Sequence, residues 1–522
     1  MVRRFLPLAA CVLLLGLAGS GPAGAQQVSP TMLDPRLDVR TVVDGLVTPS
    51  SVAFLGRDDL LVLEKNTGKV KRVVDGEVRG TVLDLSVNFA SERGLLGIAL
   101  HPDFPVNRGV YLYWSCRSAA PLDADPFFPE ERECSDDLAA MTGLEDTDDL
   151  LRVPLLGNRV DRFEWTGSSL SFDHNLIKLR SFQHDGAPVP PGQNDAAQPA
   201  RANHDGGVIA FGPDGKLYVI VGDLGRRSSL QNLPCGPQPG CAAGPVPDDQ
   251  FGGPAPDDAH FSGAVLRLND DGTTPTDNPF FGAGSVIGGE AGENVRRIFA
   301  YGVRNSFGMA FDPVSGQLWD QQNADDAFDE LNRVEPGMNG GWIQVMGPLD
   351  RIQQFKAIEL ALPPSGGLPG AQLQQIRWPP SNIADTAQEA RARMFALPGS
   401  RYSDPEFSWK FAVPPAGIGF MDGNGLGRSF RGDLFAGAAT PLTVGGYLFH
   451  FNLTGNRRQI AVDDPRLEDR VADNTAKHDL TESESLLIGR DFGVSTDIET
   501  GPNGNLFVVS LTNGAIFEVF RR

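Results

Sequence analysis

Beyond its first 25 residues the chain has no apolar run near the ~20 residues that a membrane-spanning helix needs, so no membrane span is expected. It also lacks a long apolar stripe of 3.6-residue period, which argues against a helical architecture. Basic residues are scarce: 45 Lys and Arg stand against 66 Asp and Glu, a net charge of −21. Residues 1–25 hold two arginines and no acid, so the remainder carries 43 basic and 66 acidic groups, net −23. Such a charge repels nucleic acid and anionic membrane surfaces and leaves neutral or cationic ligands as the expected partners. Cysteines number only five, and the four after Cys11 (Cys116, Cys134, Cys235 and Cys241) match no zinc-binding spacing. In an oxidising compartment an even number reads as disulfides, and proximity favours 116 with 134 and 235 with 241 over the other two connectivities.

The amino terminus supplies that compartment. Arg3 and Arg4 precede an apolar run from Phe5 to Ala18, and Ala23-Gly24-Ala25 forms a small-x-small cleavage site. The expectation is a signal peptide over 1–25, a mature chain starting at Gln26, and a periplasmic or secreted protein.

A phrase then recurs along the chain: an apolar strand, a turn of Gly, Pro, Asp or Asn, and a second apolar strand. Its clearest copy is FGPDGKLYV at 211–219, with variants at 54–63, 100–113, 311–319, 430–434 and 500–509. Each copy is a hairpin, and Asn66-Thr67-Gly68 before 69–74 adds a third strand to the unit. One such meander cannot bury both faces, so the copies must stack radially. The predicted fold is all-β, a six-bladed β-propeller over 26–522 with long loop insertions at 117–150, 184–202, 230–260 and 347–405. Those insertions either wall a ligand pocket at the end of the channel or are solvated loops.

Asn203-His204-Asp205-Gly206-Gly207 stands immediately before the third hairpin, at the start of an innermost strand. The same hairpin closes on Val221-Gly222-Asp223, which returns a carboxylate toward the imidazole and can hold one tautomer, as a general base requires. A histidine beside Gly-Gly also serves as an ordinary polar turn residue.

The stretch ERGLLGIALHPDF at 92–104 resembles the second-blade signature of the soluble glucose/sorbosone dehydrogenases, quinoproteins that bind pyrroloquinoline quinone (PQQ). Segments 203–223, 263–280, 300–312 and 329–342 match the same family in order. The resemblance implies a quinone at the top of the channel, a calcium ion polarising its carbonyls, and a sugar oxidised at its anomeric carbon, the electron acceptor being unspecified. It makes His204 the catalytic base, Asp223 the carboxylate that orients it, and Arg304 and Asn305 contacts to quinone and substrate. Glu92 stands where a glutamine is common and is expected to accept a sugar hydroxyl. Ala324 and Asp325 fall on the calcium loop, offering a backbone carbonyl and a hard carboxylate oxygen. Three cations that clamp the cofactor's carboxylates are missing at the aligned positions, within 441–445 and near Val494 and Thr496, leaving Arg226, Arg227 or Arg428 as candidate substitutes. A calcium-dependent, lactonase-like hydrolase and a non-catalytic carbohydrate-binding propeller are the competing readings, since the fold alone does not separate them.

Overall fold

A computed structural model describes residues 29–118, 133–149, 152–181, 203–225, 262–361, 381, 383–440 and 445–522. The 1–25 segment, the 235–241 cysteine pair, the 184–202 and 230–260 insertions, and Arg226 and Arg227 lie outside them.

Among the described residues the fold is all-β and propeller-like, with six sheets built around antiparallel runs of four strands. The first is Pro49–Gly56, Asp59–Glu64, Lys69–Val74 and Glu77–Asp84, and the second Leu95–Leu100, Gly109–Ser115, Asn158–Trp165 and Leu170–Leu179. The third is Ile209–Phe211, Leu217–Val221, Ala264–Leu268 and Ile298–Tyr301, and the fourth Gly308–Phe311, Leu318–Gln322, Ala327–Val334 and Phe407–Phe411. Pro415–Phe420, Leu434–Ala438, Tyr447–Leu453 and Leu487–Arg490 make the fifth. Ser495–Thr500, Leu506–Ser510 and Ala515–Arg521 make the sixth, which is completed by Leu37–Val43 from the other end of the chain.

Each repeated phrase sits where its first strand turns into its second. In the third sheet the Gly215 amide donates to Gly212 O at 2.9 Å, closing the turn that the Pro-Asp-Gly sequence demands. Second strands such as Leu217–Val221 and Leu506–Ser510 are buried along their whole length, because neighbouring sheets cover both faces. First strands pack side by side: Pro49–Gly56 on Leu95–Leu100, then Ile209–Phe211, Gly308–Phe311, Pro415–Phe420, Ser495–Thr500 and back to Pro49–Gly56. The approach is so close that a Cβ on Gly97 would lie 2.2 Å from Gly207 O.

Two features differ from the sequence expectation. The 347–405 stretch, in which no periodicity was legible, contains helices Ile352–Ala361 and Ala387–Arg393, whose Ile352, Phe355, Ile358 and Ala390 join a core with Phe328, Trp342 and Met346. Helices Phe281–Ile287 and Gly289–Arg297 likewise interrupt the third sheet between Ala264–Leu268 and Ile298–Tyr301. Each is short enough to be masked by the surrounding turn residues. Cys116 and Cys134 form a disulfide with Cα atoms 6.2 Å apart. No helix among the described residues is long and apolar enough to cross a membrane.

Candidate active site

The loops that precede the first strands and those that join second to third strands share one end of the propeller, and the third and fourth sheets bring four of these loops together. His204 precedes Ile209–Phe211 and Asp223 follows Leu217–Val221, so one hairpin returns them to each other. His204 Nδ1 and Asp223 Oδ1 are 2.5 Å apart, both residues buried. His204 takes a left-handed backbone, φ +63°, a conformation that a non-glycine residue adopts only when its surroundings hold it there. Among what holds it is Gly222, where a Cβ would lie 2.4 Å from His204 O. Asp223 Oδ1 also accepts from the Gly225 amide at 2.8 Å, and its Oδ2 accepts from Trp342 Nε1 at 2.8 Å.

Arg304 and Asn305 come from the loop before Gly308–Phe311. The Asp223 amide donates to Arg304 O at 2.7 Å, and the Arg304 guanidinium lies over the Trp342 ring, 5.5 Å from its centroid. Glu92 joins the two loops: its Oε2 accepts from the His204 amide at 2.6 Å and from Asn305 Nδ2 at 3.1 Å. The Arg304 guanidinium itself donates to Asn323 O and to Asp325 Oδ1.

Burial works to raise the Asp223 carboxyl, but the charge and hydrogen bond of His204, helped by Arg304, hold it below the ordinary value. Burial likewise lowers Arg304, and Asp325 and Asp223 outweigh it, so the guanidinium stays charged. Behind His204, burial pushes Asp205 up to about 8 against the opposing charge of Arg93, while burial pushes Lys65 down to about 7 against Glu92 and Asp205. With Asp223 ionised, a neutral His204 imidazole carries its proton on Nδ1, toward Asp223.

The structure thus places His204, Asp223, Arg304, Asn305 and Glu92 in one hydrogen-bonded cluster, with Asp325 attached through Arg304. Glu92 also bridges protein groups: its Oε2 ties the His204 amide to the Asn305 side-chain amide, linking loops of the third and fourth sheets. Arg428 lies elsewhere, in the turn between Pro415–Phe420 and Leu434–Ala438, at the end of the first strand opposite the His204 loop. Trp342 was not singled out in sequence although it ends the 329–342 match, and Lys477 carried no motif at all.

The implied cofactors meet this site differently. For the reacting end of a quinone the donor set fits: an oriented base, a fixed guanidinium, and Asn305 Oδ1, a buried acceptor with no donor among the described residues. For the carboxylate end, Arg304 is engaged by Asp325 and Lys477 by Asp326, and Val494 and Thr496 offer no cation. The calcium loop does not fit. Asp325 accepts from Arg304 on its side chain and from Lys477 on its carbonyl, so both of its expected ligand groups already meet cations of the protein. Among the described residues no three His, Cys, Asp or Glu side chains gather as a metal site.

Comparison with known proteins gives a consistent picture. The family model described as Glucose / Sorbosone dehydrogenase matches residues 46–134 and 193–350. Quinoprotein glucose dehydrogenase B of Acinetobacter calcoaceticus is 27% identical over 319 residues, 60% of this chain and 54% of that protein. An aldose sugar dehydrogenase of Escherichia coli is 24% identical over 310 residues, 59% of this chain and 62% of that one. The chain therefore spans less than two thirds of the length of these relatives. Among solved structures, the soluble aldose sugar dehydrogenase of Escherichia coli in its apo-form superposes with a TM-score of 0.54 at 20% identity, over 93% of this chain and 100% of that one. The PQQ-bound aldose sugar dehydrogenase of Streptomyces coelicolor gives 0.51 at 20% identity, over 95% and 98%. At these identities the structural likeness speaks for the fold.

Proposed function

The chain belongs to the glucose/sorbosone dehydrogenase family, and from that premise we propose that it is an exported sugar dehydrogenase that oxidises the anomeric carbon of an aldose to a lactone. The observation that carries the proposal is the buried His204–Asp223 pair at 2.5 Å, braced by Trp342 and Glu92 beside a charged Arg304. PQQ, when bound, supplies the two-electron acceptor for the hydride of the sugar's C1. The chain's own part is acid–base and electrostatic. His204 Nε2 takes the proton of the anomeric hydroxyl, the C1–O bond gains its second bond as the hydride leaves, and Asp223 stabilises the imidazolium that results. Arg304 stabilises negative charge that develops on the acceptor's oxygens, and Asn305 orients the reacting groups.

The wider reading follows the same lines. Residues 26–522 are one propeller of six blades, a reading supported by the return of the first strands to Pro49–Gly56. Work outside the cytoplasm is supported by the amino-terminal pattern and by the Cys116–Cys134 disulfide. A metal-dependent hydrolase gains no support from the arrangement of carboxylates among the described residues.

The test is reconstitution of the purified protein with PQQ, followed by dye reduction with a panel of aldoses. His204→Ala is expected to lower turnover by about 10²- to 10⁴-fold while leaving quinone binding, read by calorimetry, within a few-fold of wild type. Dye reduction that survives the substitution refutes the role of His204, and no sugar-dependent reduction by the wild type refutes the function.

A further inference from the structure

We propose that the ammonium of Lys477 occupies, at the loop 323–326, the place that the sequence resemblance assigns to a divalent cation, so that this chain carries its own tethered cation there. The inference concerns what binds the loop and holds whether or not the protein oxidises sugars.

The loop is sorted by polarity. Its amides face carboxylates: Ala324 N donates to Asp329 Oδ1 at 2.7 Å, and Asp326 N and Ala327 N donate to Glu359 Oε1 at 3.1 and 3.2 Å. Its oxygens face cations. Asn323 O and Asp325 Oδ1 accept from Arg304, Asp325 O accepts from Lys477 Nζ at 2.8 Å, and Asp326 Oδ1 pairs with the same Nζ. Calcium requires six to eight oxygens at roughly 2.3–2.6 Å converging on one point. Here Asp329 and Glu359 turn oxygens toward amides, and Asn323 O, Asp325 Oδ1, Asp325 O and Asp326 Oδ1 are divided between a guanidinium and an ammonium. An ammonium, with three donors and no need for so many ligands, satisfies the smaller set.

Lys477 reaches the loop from a distant segment of the chain, and that segment is fixed. Asn474 Nδ2 donates to Phe411 O at 2.9 Å, the His478 amide to Ala412 O at 2.9 Å, and the Thr475 amide to Asp479 Oδ2 at 2.8 Å. The lysine therefore arrives from a segment bonded to the last strand of the fourth sheet, and Asp326 beside it is 5% exposed. Lys477 is a positioning residue: it holds Asp325, and Asp325 holds Arg304.

Melting temperatures in EDTA and in millimolar calcium, for wild type and for Asp326→Asn, test this. The difference between the two proteins' calcium responses is the response that belongs to the loop, and it is expected to be zero; a non-zero difference overturns the proposal. Lys477→Met is expected to melt about 5 °C lower in EDTA and to regain part of that loss in calcium, whereas Lys477→Arg keeps the wild-type indifference. Lys477→Met that melts as wild type also overturns it. Independently of any variant, anomalous scattering from wild-type crystals soaked in terbium is expected to show no peak within coordination distance of Asp325 O and Asp326 Oδ1, and a peak there refutes the assignment.

Discussion

The residue next to the candidate base is as informative as the base itself. Asp205 is fully enclosed, with Oδ1 accepting from Asn158 Nδ2 at 2.8 Å and its carbonyl accepting from Tyr113 at 3.0 Å, and burial raises its carboxyl to about 8. An unfolded aspartate releases its proton near 3.8, so between about pH 4 and pH 8 the folded chain holds a proton that the unfolded chain has lost. Stability from this group is therefore full below pH 4 and is lost as pH rises through about 8. Lys65 acts in another window, since its folded value of about 7 lies below the ordinary 10.5 and its contribution grows between those limits as pH rises. Asp205→Asn keeps a carbonyl for Asn158 and removes the titration. Relative to that variant, wild type is expected to lose about 1 kcal/mol or more between pH 5 and pH 8 in chemical denaturation. A constant difference across that range would show that Asp205 ionises normally.

Among the elements, the helix Ile352–Ala361 links a segment without legible function to the site. Ile352, Phe355 and Ile358 face the core at spacings of three, and the next residue, Glu359, is buried and accepts two amides of the loop that carries Asp325. Ten residues are too few, amid Pro- and Gly-containing neighbours, for that pattern to stand out in sequence. Glu359→Ala leaves two buried amides without their acceptor, at a cost of about 1–3 kcal/mol each. It is expected to lower the melting temperature and, through Asp325 and Arg304, to cut sugar oxidation about tenfold. Glu359→Gln keeps an acceptor and should retain most of both. Equal losses in the two variants would mean that charge, and not the hydrogen bond, is what the loop requires.

For the molecule as a whole, a strand near the start of the described chain is an outer strand of the last sheet. Leu37–Val43 pairs with Ala515–Arg521, and Arg40 Nε donates to Glu518 Oε2 at 2.7 Å across 478 residues of sequence. Leu37 is wholly buried in the core of that sheet with Leu506, Phe517 and Val519. Without the strand, the sheet would expose both this apolar surface and an unpaired edge. Removing residues up to 44, which takes away Leu37–Val43 and the short strand Thr31–Met32 on the fifth sheet, is expected to lower the melting temperature by about 10 °C or to split the single transition. A deletion to 44 that melts as the full chain would show that the ring does not depend on this closure.

What the sequence determined by itself is whatever depends on short separations. Each hairpin of the repeat is closed by its own turn chemistry, so the propeller class was legible from six recurrences of one phrase. His204 and Asp223, 19 residues apart on one hairpin, could be paired by the same reasoning. The contacts between loops were not legible, because they join residues that no local rule relates. Glu92 reaches Asn305 across 213 residues, Trp342 reaches Asp223 across 119, and Lys477 reaches Asp325 across 152. Only the tertiary packing of distant segments brings those side chains together. That is why tertiary structure alone shows Glu92 bridging the His204 and Asn305 loops and Lys477 reaching the 323–326 loop.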